Sequence, residues 1–123
     1  MAFLNDRVFD EGLSVLDLEA NAVHVTSAEA TDYTEATSTY SLGSSSSLSI
    51  AAPSDRVGGG RKVSVTAIDD GTISGTGTVT HYALVDTVNS RLLATAALTA
   101  SQSVTSGNTF TLATFDIGIP DPS

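Results

Sequence analysis

The chain has no cysteine, which excludes a disulfide framework and a thiolate metal site and leaves packing to hold the fold together. The same absence leaves the redox compartment open. Basic residues are scarce: five Lys and Arg stand against fourteen Asp and Glu in 123 residues, a net charge of −9. A chain this acidic repels phosphate backbones and anionic bilayers, so neither nucleic acid nor membrane is expected as a partner. No apolar run approaches membrane-spanning length. The opening MAFLNDRVFDEG has neither the basic n-region nor the unbroken apolar stretch of a signal peptide. A soluble protein made inside a cell is the expectation.

Charged residues make up only 15% of the chain, and 17 Ser and 17 Thr fill the gap. Such an uncharged, hydroxyl-rich exterior suits strands, because Thr, Val and Ile are stiff at χ1 and pack well on a pleat. At this length a single core buries roughly two-thirds of the unfolded surface, so one domain suffices. Residues 1–20 read as an N-terminal arm and a short helical turn, with Gly12 breaking any longer helix, and residues 21–123 as a single β-sandwich domain. The arm carries Phe3, Leu4, Val8 and Phe9. It either frays or lies across a neighbouring subunit.

NAVHVTSAEA alternates Val23 and Val25 against His24 and Thr26, as a strand does. TDYTEATSTYSLG offers Thr31 or Asp32 as an N-cap, Glu35 in the first turn and Gly43 as terminator, so a short helix or turn-rich loop is expected there. The serine run 44–47 reads as a loop or strand entrance, and PSDRVGGG, residues 53–60, as an exposed tip. RKVSVTAID places Val63, Val65 and Ala67 inward, DDG turns, and TISGTGTVTHYALVDT resumes the alternation. SRLLATAAL and QSVTSGNTFTLATFDIGI complete the set, with SGN a turn and Pro120 a stop. Short strands at this spacing predict an all-β fold, a β-sandwich or jelly-roll-like domain with minor helical turns, a barrel being the alternative. The expected core holds Val23, Val25, Val63, Val65, Ala83, Val85, Leu93 and Leu112.

Little in the chain assembles reactive chemistry. If His81 lies in a strand, period two sets it on the face of Ala83 and Val85 and puts Asp86 on the other, so the two point apart. DTVNS then reads as a hairpin turn in which Asp86, Asn89 and Ser90 supply local hydrogen bonds. No G-x-S-x-G elbow occurs to supply a nucleophile. His24 and His81 have no ligand-like spacing, and IDDG lacks the alternate acids and bidentate Glu of a calcium loop, so it reads as a solvated turn. GTISGTGTV lacks the third glycine of a dinucleotide fingerprint and the Lys of a P-loop. No catalytic, metal or cofactor residue is assigned. Arg61 and Lys62 follow the glycine tip as two of the five bases, suited either to protecting a strand edge or to meeting an acidic partner.

The C-terminal half, GTGTVTHYALVDTVNSRLLATAALTASQSVTSGNTFTLATFDIGIP, resembles a pattern of small virion proteins of tailed bacteriophages: a THxxxxD strand, a polar turn, LLATxxL, a V-x-x-G-x-x-x-x-L strand pair and an IxIPDP-like end. GLSVLDLEAN and TDYTEATSTYSLG are similar to the front half of such proteins, so the likeness covers nearly the whole chain. The resemblance implies a non-enzymatic β-rich structural protein, most simply a capsid decoration or cement protein on the outer capsid surface of the virion. The major capsid protein is then the partner, and the chain a homo-oligomer, by family habit a trimer. Phe3, Leu4, Val8, Phe9, Arg61 and Lys62 are the expected interface residues. The alternative is a tail-tip or fibre component that binds a host receptor through loops 53–60 and 87–90.

Overall fold

The computed structural model describes residues 6–120, the side chains of 6–9 excepted. The fold is all-β, with a curled antiparallel sheet of sandwich-like type and few helices. By contacts the chain gathers into two compact units, each assembled from separated stretches of sequence.

The larger unit spans Ala20–Leu48 and Ile68–Leu112. It holds strands β1 (Ala22–Thr26), β2 (Ser41–Ser45), β5 (Ile68–Ile73), β6 (Gly77–Asp86), β7 (Arg91–Val104) and β8 (Thr109–Leu112). These form one antiparallel sheet in the order β7-β6-β1-β2-β5-β8. Val23 faces Leu84 and Val25 faces Tyr82 across β1 and β6, and all four are buried. On the opposite face Ala22, Ala83 and Val85 pack with Ala30 and Ala36, flanked by Tyr33 and Leu92. That second layer comes from the segment between β1 and β2, which ends in a single π-helical turn, Glu35–Thr39. Its start is fixed as the sequence predicts: the Asp32 carboxylate accepts the Glu35 N–H at 2.8 Å, and Glu35 in turn accepts the Thr31 N–H at 2.8 Å.

The smaller unit holds helix α1 (Asp6–Glu19) and a three-stranded antiparallel sheet of β3 (Ser54–Asp55), β4 (Arg61–Val65) and β9 (Phe115–Ile119), in the order β3-β4-β9. Val63 and Val65 are fully buried, as are Leu13 and, nearly so, Leu16 of α1. Their three-residue spacing puts the two leucines on one helical face. With Asp17 and Glu19 at its negative C-terminal end, α1 owes its stability to that packing more than to charge.

Several local expectations give way. Residues 6–19 form one helix where an arm and a short turn were expected, because a lone glycine costs only about 1 kcal/mol against alanine and two buried leucines outweigh it. Gly43 does not end a helix; it lies within β2, where a Cβ would stand 2.5 Å from the Thr72 carbonyl oxygen. IDDG is not a turn but the bulged start of β5, in which one extra residue is accommodated between Ile68 and Gly71. Gly71 permits this because its missing Cβ leaves room for the Phe110 ring. Ala67 is exposed, since the β4–β9 pairing ends at Val65↔Phe115. Leu93 and Leu112 are half-buried and outside the core: Leu93 is the extra residue where pairing steps from Leu84↔Ala94 to Val85↔Leu92, and Leu112 ends the edge strand β8. The other six expected core residues are buried.

Two glycines test this account in opposite directions. Gly43→Ala forces a methyl group against the Thr72 carbonyl and should cost roughly 2–4 kcal/mol. Gly12→Ala meets nothing closer than Ile119 Cδ1 at 3.8 Å and should add roughly 0.5–1 kcal/mol. Urea denaturation of both variants checks the pair, and a destabilised Gly12→Ala chain would contradict the helical reading of residues 6–19.

Candidate interaction surfaces

Arg61 and Lys62 open β4, and period two sends their side chains to opposite faces of the small sheet. The Arg61 guanidinium is only 17% exposed and is held by four acceptors of its own unit. Nε donates to Asp10 Oδ1 at 2.9 Å, Nη1 to Asp55 Oδ1 at 2.7 Å, and Nη2 to Asp10 Oδ2 and the Pro53 carbonyl, both at 3.3 Å. It thereby ties α1 to the β3–β4 hairpin. Lys62 Nζ donates to Asp116 Oδ2 at 2.9 Å across the β4–β9 pair, and Ser64 Oγ donates to Asp116 Oδ1 at 2.6 Å. The Ser64 hydroxyl, then Lys62, hold the Asp116 carboxyl below its usual range. Arg56, Val57, Lys62, Asp116 and Gly118 line an open concavity of about 380 Å³ there.

Of the other residues assigned to an interface, Phe3 and Leu4 lie outside the described residues. Val8 and Phe9 belong to α1, and the structure does not describe their side chains. The tip between β3 and β4 is exposed as expected, with Val57 93% exposed and positive φ at Gly58, Gly59 and Gly60.

In the larger unit Asp86 closes the β6–β7 turn as the sequence suggests. Its carboxylate accepts the Val88 and Asn89 N–H groups at 3.0 and 3.3 Å and the Asn89 side-chain amide at 2.8 Å. The Asn89 amide above all keeps the carboxyl below its usual range. Ser90 follows at φ +55, and Val88 stands 82% exposed at the tip. Asp86 therefore has no part in positioning His81, whose Nδ1 lies 2.8 Å from Thr80 Oγ1.

No local signal in either strand discloses that the two histidines share one face of the sheet. Antiparallel register sets His24 opposite Ala83 and His81 opposite Thr26, so both occupy one face of the β1–β6 pair on a diagonal. Only the pairing register, which neither strand carries alone, brings them together. His24 Nδ1 lies 2.8 Å from Ser41 Oγ, and burial pushes its pKa below the ordinary 6.5. Among the described residues, no group of three or more His, Asp or Glu is placed to hold a metal ion. Asp70 accepts from two hydroxyls, Ser47 Oγ at 2.6 Å and Ser45 Oγ at 2.9 Å, which lower its pKa in that order. A second open concavity, about 200 Å³, lies between the end of β7 and β8, lined by Gln102, Ser103, Thr105, Asn108, Thr109 and Phe110 among others.

No family model, curated protein or solved structure matches this chain.

The geometry makes two predictions. Arg61→Ala should cost about 1–3 kcal/mol in urea denaturation, because it strips Asp10 and Asp55 of their partner, whereas the more exposed Lys62→Ala should cost about 1 or less. Stability should also fall on acidification in two stages. His24 is harder to protonate folded than unfolded, so stability is lost as pH drops below 6.5. Asp70, Asp86 and Asp116, ordinarily at 3.8, and Glu35, ordinarily at 4.5, are held below those values, so their contribution disappears as pH falls further. Thermal melts from pH 8 to 3 should show both steps, and His24→Asn should flatten the first.

Proposed function

We propose that this chain is a non-enzymatic structural protein of a tailed-phage virion, a decoration protein that lies on the outer capsid surface and stabilises the shell by spanning seams between major capsid subunits. The sequence resemblance points there. The observation that carries the reading structurally is strand β7, fourteen residues without a single buried side chain, which offers a long ordered surface of main chain and small side chains. Its gain is mechanical: each contact that forms only on the closed shell lowers its free energy relative to the opened one. Apolar contact dominates attachment, since exposed ion pairs give only about 0–1 kcal/mol and are screened by salt. Arg61 is already committed to Asp10 and Asp55, so Phe3 and Leu4, ahead of α1, are the contact residues. Fully burying one such side chain contributes about 1.5–3 kcal/mol.

A second reading, a tail-tip or fibre component that binds a host receptor, is favoured by one observation. Both loops suited to recognition carry an exposed valine at the tip, Val57 and Val88.

Copy number separates the two, because decoration proteins approach the abundance of the capsid protein and tail components occur at a few copies. On a gel of purified virions the band should be comparable to that of the major capsid protein, and particles lacking the protein should assemble yet release DNA at lower temperature. Removing residues 1–5 should leave thermal stability near normal while reducing particle binding. A faint band, or full occupancy by the truncated chain, overturns the corresponding part of the proposal.

A further inference from the structure

β7 stands at one end of the six-stranded order, so among the described residues no strand pairs with its outer edge. At about 3.4 Å per residue its fourteen residues present some 45 Å of edge. Proteins commonly blunt such edges with lysine, proline, bulges or brevity. β7 has bulges, where its pairing to β6 steps from Gln102 to Ala97 and from Ala94 to Leu92, but between them Ala94–Ala97 runs in regular register. It has neither of the other side-chain devices: from Leu92 through Phe115 there is no ionisable residue and no proline. The run LLATAAL is mostly apolar, and none of it is buried, although Tyr82–Asp86 of the adjoining β6 are buried without exception.

We infer that this edge is the self-association surface of the chain: two copies pair antiparallel along β7, about a two-fold axis crossing Ala94–Ala97, and join their six-stranded sheets. Charge selects the occupant. Each copy carries −9, so contact over most of the surface sets carboxylates against carboxylates, whereas self-pairing along β7 opposes only Ala, Leu, Thr, Ser and Gln over residues 92–103, with the single cation Arg91 and Val104 at its ends and no carboxylate. Small side chains suit the contact as well, because a strand added to a sheet edge is held by main-chain hydrogen bonds and alanine lets the backbones approach. The pairing is isologous and closes as a dimer, in place of the trimer implied by the resemblance. It does not depend on the virion reading, since it is measured on the purified chain.

Analytical ultracentrifugation tests it. The purified chain should sediment at twice its 12.5 kDa mass. Ala97→Lys, at an exposed position of the regular run, should raise the dissociation constant about tenfold or more while keeping the β-type circular dichroism spectrum. Raising salt from about 0.05 to 0.5 M should tighten the dimer, because the repulsion of two acidic copies is screened and no ion pair is lost. Hydrogen exchange on the unaltered chain gives a second reading independent of any variant: the alternate amides of residues 94–97 that point away from β6 should lose protection on dilution while those of β1 keep theirs. A monomer at high concentration, a trimer, a dimer unmoved by Ala97→Lys, a dimer that salt dissociates, or dilution-independent exchange in β7 would each overturn the assignment.

Discussion

Everything in the larger unit depends on β6 being covered on both faces. Tyr82, Ala83, Leu84, Val85 and Asp86 are buried in succession, and a strand of alternating pleat can bury consecutive residues only when something packs on each side. On one face Tyr82 and Leu84 lie beside Val25 and Val23 of β1 in a continuous buried apolar patch, and the other is closed by Ala30, Ala36 and Tyr33 of the segment between β1 and β2. Because the contact is alanine on both sides, Ala30 and Ala36 of that layer against Ala22 and Ala83 of the sheet, the helical segment can approach the sheet closely. It also explains the brevity of the helix: a single turn, preceded by the Asp32 carboxylate on the Glu35 N–H and by Thr31 donating to the Glu35 carboxylate, suffices to carry Ala36 to full burial.

What was legible in the sequence was governed by chemistry within a few residues. Asp86 with Asn89, the glycine tip after Pro53 and the Thr31–Asp32–Glu35 start all have their partners close at hand, and each forms where the residues suggest. The valine alternations of β1 and β4 belong to the same class, since period two is a property of the segment itself. Failures were non-local. Gly43 looks like a helix terminator until Thr72 is known to lie against it, and IDDG looks like a turn until Phe110 and the serines of the neighbouring strand are placed. Leu93 fits an alternating strand, but one bulge takes it out of phase with the core. Nor does any local signal disclose that residues far apart in sequence gather into one small unit around Val63 and Val65.

The adjoining bases at the start of β4 show the same division at the level of a site. In sequence Arg61 and Lys62 are one basic pair; in a strand they part to opposite faces. The Arg61 guanidinium is drawn in among Asp10, Asp55 and the Pro53 carbonyl, where its fixed fork can serve several acceptors at once. Lys62, a flexible point charge, makes a more exposed pair with Asp116. Such cross-links hold the small unit together. They also leave less cationic surface for an outside partner than the composition suggests.

With fourteen acids and five bases, ion pairing cannot satisfy most carboxylates, and the chain answers with its abundant hydroxyls and amides. Asp70 is held by Ser45 and Ser47, Glu35 by Thr31, Asp116 by Ser64 ahead of Lys62, and Asp86 by Asn89 and two backbone N–H groups. Hydrogen bonds of this kind favour the ionised carboxylate without requiring a cation, so they survive salt and fail only on protonation. The Ser and Thr content thus has a structural use beyond strand propensity. It lets an acidic surface be ordered locally while the long stretch from Leu92 to Phe115 stays free of charge. Among the described residues β7 is thereby a long sheet edge that carries no carboxylate of its own.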